Sequence, residues 1–271
     1  MHSILPSTQF DTVYEVSSER LSKRGSVVRY EDQLVVEHTI TVSINEVPSF
    51  EIVCSPTSLE DLVLGRLLSE GLIHALDELE LLYICQDGLR ASVFLTGDRP
   101  VARAADVVEQ VASCCTGNRT IAELFPAEAQ PERIRPIQYR REWIYKLAAG
   151  LKQDMPIYDA THGTHSALLM REGEILTRAE DIGRHNALDK VFGWALRNGI
   201  PLGECIVYSS GRIPLDMVKK VIRAGVPVFA SKAMPTRQAV ELADYYGLTL
   251  IAGARADSMV LFSREEHHDT D

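Results

Sequence analysis

The segment Glu180-Asp181-Ile182-Gly183-Arg184-His185-Asn186-Ala187-Leu188-Asp189-Lys190 sets carboxylates, a guanidinium, an imidazole and an amide side by side, and an apolar helix face begins inside it. Ala187, Leu188, Val191, Phe192, Ala195 and Leu196 recur at helical spacing, and Gly199 and Pro201 stop the helix. Glu180 through Asn186 are therefore expected at the mouth of a strand-to-helix turn, where free backbone N–H groups favour a bound anion. A solvated charged face would read similarly. Gly183 and His185, however, interrupt the charges where a surface run has no need of them.

Three further segments carry polar groups just beyond apolar runs. Ser209-Ser210-Gly211-Arg212 follows Ile206-Val207-Tyr208, Ser231-Lys232 follows the run ending at Ala230, and Gly253-Ala254-Arg255 follows Leu250-Ile251-Ala252. Thr236 stands at the next helix start. Hydroxyls, glycines and cations at strand ends suit a phosphorylated ligand, with arginine supplying a planar fork of donors. In sheets covered by helices, ligands bind beyond the carboxyl ends of the strands. Ordinary helix capping by Ser and Thr is the competing reading at each single edge.

The five cysteines are Cys54, Cys85, Cys114, Cys115 and Cys205. An odd number in a chain this long argues against a disulfide framework. Cys54, Cys85 and Cys205 adjoin apolar runs and read as core or strand-edge residues. Cys114 and Cys115 lie in Ser113-Cys114-Cys115-Thr116-Gly117-Asn118, outside any apolar run. A thiol on a mobile polar loop can accept and pass on sulfur, given access and a stabilised thiolate, which Arg119 could assist. His162 and His165 stand three apart, but strand neighbours alternate faces, and neither a Cys-x-x-Cys pair nor a His-x-Glu accompanies them. The reading is no zinc, with His165 hydrogen-bonded to a ligand or a loop.

These groups need a scaffold, and the chain predicts one. Strands are expected over 35–44 and 50–53, a helix from Ser58 to Gly71, a hairpin over 79–85 and 89–95, and a helix over 141–151. Residues 1–25 read as polar and loose at the start, and 113–136 as an exposed mobile connection. Beyond 157 a hairpin over 167–177 precedes an alternation: helix 186–198, strand 205–208, helix 214–224, strand 226–230, helix 236–246 and strands 248–252 and 259–262. The fold class is α/β, with a three-layer α/β unit over 141–271 and a smaller α+β region over 1–140 that includes the cysteine loop.

The totals fit this organisation. The chain has 271 residues, 45% of them hydrophobic, 24% charged, with a net charge of −10. That is ample for a packed core, and the acidic balance excludes a broad nucleic-acid footprint. No apolar run reaches transmembrane length. With no signal-peptide core at the start, a cytoplasmic protein is expected and no membrane partner.

Taken together, the motifs resemble the FdhD family, the sulfur-carrier accessory proteins needed for active formate dehydrogenase. The resemblance rests on Leu68-Ser69-Glu70-Gly71-Leu72-Ile73, Gly163-Thr164-His165-Ser166-Ala167, the 180–190 segment, Ser209-Ser210-Gly211-Arg212 and Leu248-Thr249-Leu250-Ile251. It implies a cytidine-deaminase-like larger domain without the zinc signature. It also implies an activity: persulfide sulfur taken from a cysteine desulfurase and passed to the molybdenum (or tungsten) bis-guanine-dinucleotide cofactor of a formate dehydrogenase catalytic subunit. Binding of GDP-like guanine nucleotide moieties and a homodimer are implied as well. The family's persulfide cysteine sits in a loop resembling Thr/Ser-Gly-Cys-Gly. Matching Ser113 to its first residue selects Cys115, and matching the local Ser-Cys pair selects Cys114. The second cysteine common three positions on is replaced here by Gly117 or Asn118, which leaves a non-covalent cofactor chaperone as the alternative. The family's cofactor-binding stretch maps onto Gly253, Ala254, Arg255, Ala256, Asp257 and Ser258. A zinc hydrolase on the same fold is a third reading.

Overall fold

The computed structural model describes residues 3–5, 9–97, 109–110, 130–151 and 153–262. Its first sheet joins β1 (Ser3–Leu5), β4 (His38–Ile44), β5 (Val47–Cys54), β6 (Leu79–Ile84), β7 (Arg90–Leu95) and β8 (Glu109–Gln110) in the order β1-β6-β7-β4-β5-β8. The β4–β5 turn is tight because Asn45 and Glu46 both adopt positive φ. Between β2 (Val13–Leu21) and β3 (Val27–Val35) runs a separate antiparallel ribbon. Two expectations change here: residues 13–21 are a strand and not a loose segment, and the run 35–44 breaks after Val35 into two strands.

The second sheet has the order β10-β9-β11-β12-β13-β14, from β9 (His165–Arg171), β10 (Glu174–Asp181), β11 (Cys205–Ser209), β12 (Val228–Ser231), β13 (Thr249–Ala252) and β14 (Val260–Leu261). Strands β11, β12 and β13 are mutually parallel, and β9 runs antiparallel to both β10 and β11. Successive residues alternate faces, as strand geometry requires. Ala167, Leu169, Val207, Phe229 and Leu250 point into one core with α4 (Arg184–Arg197), α5 (Leu215–Arg223) and α6 (Arg237–Tyr246). Leu168, Met170, Ile206, Tyr208, Val228 and Ile251 point into another with α2 (Arg141–Gly150). The six described helices are completed by α1 (Leu59–Ser69) and α3 (Pro156–Thr161).

Helix α1 packs directly on α4, and the core on that side is continuous from the first sheet to the second. Two glycines permit the close approach: a Cβ on Gly65 would lie 1.8 Å from the carbonyl oxygen of Asp189, and one on Gly193 would lie 1.9 Å from that of Asp61. No described helix is long and apolar enough to cross a membrane.

Candidate functional site

Strand direction brings the chemically marked segments to one edge of the second sheet. The carboxyl ends of β11, β12 and β13 point there because those strands are parallel. Antiparallel pairing puts the start of β9 and the end of β10 at the same edge, with Asp181 opposite His165 and Ala167 opposite Ser209. So Gly183-Arg184-His185, His165, Ser210-Gly211-Arg212, Ser231-Lys232 and Gly253-Ala254-Arg255 form one rim. This is where the sequence places a ligand, and the topology supplies the reason.

Side-chain hydroxyls hold the rim's backbone in shape. Ser210 Oγ accepts from the Ser166 amide at 2.9 Å and lies 3.3 Å from His165 Nδ1. Ser231 is buried; its hydroxyl donates to the Gly211 carbonyl at 2.6 Å and accepts from the Ala233 amide at 3.1 Å. Thr236 caps α6 by accepting from the Ala239 amide at 3.3 Å. Arg255 donates to the carbonyls of Lys232 and Ala254, and Tyr208 OH reaches the same Ala254 carbonyl at 2.9 Å. Gly211 is a tight spot, where an added Cβ would lie 2.8 Å from Arg184 Cβ. Ala256, Asp257 and Ser258 are exposed, with Ser258 bonded to its neighbour Asp257.

The cations of the rim are the groups left over. Arg184, Arg212 and Lys232 form no hydrogen bond or ion pair with any described residue through their side chains, and Arg184 Nε is shielded from solvent without a partner. His185 instead has a fixed role: its Nε2 lies 2.7 Å from the carboxylate of Asp216 in the first turn of α5. Burial works to raise the Asp216 pKa, but the hydrogen bond and charge of His185 outweigh it and hold the carboxyl below its ordinary range. Burial, and then the positive charges of Arg184 and His185, push the His165 pKa down. The rim therefore offers unpaired positive charge and a neutral imidazole at neutral pH, a set suited to an anion such as a diphosphate.

The acidic and amide members of the 180–190 segment point elsewhere. Glu180 and Asp181 belong to β10 and are buried. Glu180 accepts from the amides of Ile157 and Tyr158 at the start of α3, at 3.1 and 2.6 Å, and from Thr164 at 3.2 Å. Asp181 pairs with Lys190 Nζ at 2.7 Å and accepts from the amides of Ser55 and Gly183. Asn186 donates to Asp181 and to the Val53 carbonyl, both at 2.8 Å, and accepts from Arg66 at 3.1 Å. Asp189, fully buried, meets Arg66 Nε at 2.9 Å, Lys220 Nζ at 3.1 Å and the Ser69 hydroxyl at 2.7 Å. These groups form a charged seam between α1, α4 and α5. Sequence reasoning missed Asp216, Arg66 and Lys220. The available signal for the seam was Gly65 and Gly193 inside helices, where glycine is disfavoured unless backbones must approach.

Of the cysteines, Cys114 and Cys115 lie outside the described residues. Burial pushes the Cys54 thiol up to about 12 and the Cys205 thiol to about 11, which makes both poor thiolates. Cys85 donates to the Asp87 carboxylate at 2.5 Å. Among the described residues no group of three or more His, Cys, Asp or Glu side chains is placed to hold a metal ion. His162 ends α3 at φ 52° with its ring edge-on to Tyr158, away from the rim position of His165. Two hollows lie apart from the rim, one of about 300 Å³ beside Arg178 and Lys190, the other of about 660 Å³ beside Glu70 and Arg223.

Comparison with known proteins agrees with this architecture. The profile of the FdhD/NarQ family matches residues 35–269. The protein named sulfur carrier protein FdhD of Staphylococcus haemolyticus is 31% identical over 244 residues, covering 90% of this chain and 92% of that protein. The protein of the same name from Staphylococcus aureus strain MRSA252 is 32% identical over 248 residues, covering 89% and 94%. A solved structure assigned as a formate dehydrogenase accessory protein, from Desulfotalea psychrophila, superposes with a TM-score of 0.76 at 24% identity, covering 95% of this chain and 99% of that one.

Proposed function

Because this chain belongs to the FdhD/NarQ family, we propose that it is a sulfur carrier that serves formate dehydrogenase. In this reading it takes persulfide sulfur from a cysteine desulfurase and passes it to a molybdenum or tungsten bis-guanine-dinucleotide cofactor, which is its substrate. The second sheet with its helices is read as a cytidine-deaminase-like unit, and the protein as a cytoplasmic homodimer. The observation that carries the reading is the rim: Arg184, Arg212 and Lys232, none of them hydrogen-bonded to a described carboxylate, gather at the strand edge where a nucleotide diphosphate would sit. Arg255 and the backbone of 253–258 would flank its guanine end. His165 would hydrogen-bond the ligand as a neutral imidazole, and His185, held by Asp216, would keep the start of α4 in place.

The carrier thiol is assigned to the loop cysteines. Cys54 and Cys205 are buried with raised pKa values, and Cys85 sits against a carboxylate. Cys115, or Cys114 beside it, would attack the terminal sulfur of the desulfurase persulfide as thiolate. The sulfur–sulfur bond breaks and the desulfurase thiolate leaves, so the step needs no oxidant. Intact-mass spectrometry after incubation with an active cysteine desulfurase and cysteine tests this. One added sulfur, lost in Cys115→Ala or in Cys114→Ala, establishes the carrier and its thiol. No added sulfur, with GDP binding retained, overturns sulfur carriage in favour of a non-covalent cofactor chaperone.

A further inference from the structure

One side of the His165 ring is already engaged by the fold. Ser210 follows the carboxyl end of β11 and lies beside Ser166, in the antiparallel pairing that sets Ser209 opposite Ala167. Three contacts fix it there. Its amide donates to the Ser166 carbonyl at 2.9 Å, its Oγ accepts from the Ser166 amide at 2.9 Å, and the same Oγ lies 3.3 Å from His165 Nδ1. The Ser166 backbone thus grips both the main chain and the side chain of Ser210. The hydroxyl has little freedom to swing away from the imidazole.

A serine hydroxyl has one proton to give and two lone pairs to receive with. The Ser166 amide uses one lone pair. Among the described residues, the only acceptor within reach of the hydroxyl proton is His165 Nδ1. If Nδ1 carried the ring proton and gave it to Oγ, the hydroxyl would accept twice and its own proton would have no described partner. The bonding is complete only in the reverse sense, with the hydroxyl proton on the Nδ1 lone pair. A neutral imidazole carries one N–H, so the ring proton then sits on Nε2. Burial and the charges of Arg184 and His185 favour that neutral ring. Nε2 makes no hydrogen bond with a described residue, yet it is not shut off from solvent.

We propose that Ser210 is a positioning residue: its hydroxyl, gripped by Ser166, holds His165 in the Nε2–H form and so gives the rim a neutral donor for a phosphoryl oxygen. Arg184, Arg212 and Lys232 attract an anion by charge. His165 adds direction without adding charge, because a single N–H offers a hydrogen bond along one line. The inference rests on the reading of the rim as a phosphate site, and it is independent of the sulfur chemistry.

Proton–nitrogen correlation NMR of the imidazole rings tests it, on the full chain with isotope-labelled histidine, without nucleotide, at about pH 8 where an ordinary histidine is neutral. His165→Gln identifies the signals. Native His165 should show a protonated Nε2 and an unprotonated Nδ1 shielded by an accepted hydrogen bond. Ser210→Ala should remove that shielding and weaken GDP binding by about fivefold, the scale of one neutral hydrogen bond. Ser210→Thr, which keeps a hydroxyl, should restore both. A native ring protonated on Nδ1, or an Nδ1 signal that Ser210→Ala leaves unmoved, would overturn the proposal even with GDP bound normally. A changed spectrum with unchanged GDP affinity would overturn the donor role. GDP that fails to bind the native protein would overturn the phosphate-site reading itself, whatever the nucleotide-free spectra show.

Discussion

Two regions of this molecule use the same residue types to opposite ends. At the seam between α1, α4 and α5, every charge is buried and matched: Asp181 with Lys190, and Asp189 with Arg66 and Lys220. At the rim of the second sheet, the side chains of Arg184, Arg212 and Lys232 form no hydrogen bond or close ion pair with any described residue, although the charge of Arg184 is felt by Asp216. Both regions draw on one stretch of sequence. Residues 184 and 185 face the rim, while 186, 189 and 190 face the seam. The contrast shows that charge density in a motif does not mark a ligand site. What sets the rim apart is that several cations converge on one strand edge without a hydrogen-bonded carboxylate, half-buried at Arg184 and exposed at Arg212 and Lys232, where they stay available to an anion.

The seam side of the contrast carries the largest expected effect. Asp189→Ala removes the buried carboxylate between Arg66 and Lys220 and leaves them only the partly exposed Glu70, 3.6 and 3.2 Å away. Removing one member of such a cluster costs about 3–5 kcal/mol, a large part of a typical domain's stability. Urea unfolding should show a midpoint lowered by that amount or a protein that fails to accumulate. A shift below about 1 kcal/mol would mean that the seam is wet and that its charges are no more constrained than those of the rim.

The rim side predicts the reverse pattern. Arg212→Gln removes an exposed charge with no internal partner, so stability should stay within about 0.5 kcal/mol of the native protein. Binding of GDP, followed by calorimetry, should weaken by about tenfold, the scale of one charge-assisted hydrogen bond to phosphate. A loss of stability without a loss of binding would place Arg212 with the seam residues.

The sequence made the elements legible where period and punctuation agreed. Helix α4 begins where Gly183 ends the polar turn and stops before Gly199, and β11, β12 and β13 follow their apolar runs to within two residues at each end. The convergence of four distant segments on one rim also followed, because parallel strands send their carboxyl ends the same way. Side-chain destinations within the 180–190 segment did not follow. Whether Asp181 or Asn186 faces a ligand or a neighbouring helix depends on Ser55, Val53 and Arg66, more than a hundred residues earlier. The β2–β3 ribbon was hidden for another reason: its strands are polar in the middle, and its apolar positions are too few to stand out from a loop.

The smallest effect lies in the rim imidazole whose pKa the fold lowers, His165. His165 faces Arg184, His185, Asp181 and Arg212, with the Ser210 hydroxyl on Nδ1. Burial first, and then Arg184 and His185, lower its folded pKa below the ordinary 6.5. The unfolded chain therefore binds this proton more readily than the folded one. The group's contribution to stability is full above pH 6.5 and is lost as pH falls through the folded pKa. An anion at the rim offsets the positive charges and raises that pKa, so binding should draw in a proton. The GDP affinity of the native protein should then gain a few-fold, relative to that of His165→Gln, as pH drops from about 8 to about 6. Comparing the two proteins cancels the ionisation of the nucleotide's own phosphate, which they share. Parallel pH profiles would show that the anion sits out of reach of His165 and would confine the binding site to the Arg212 and Lys232 side of the rim.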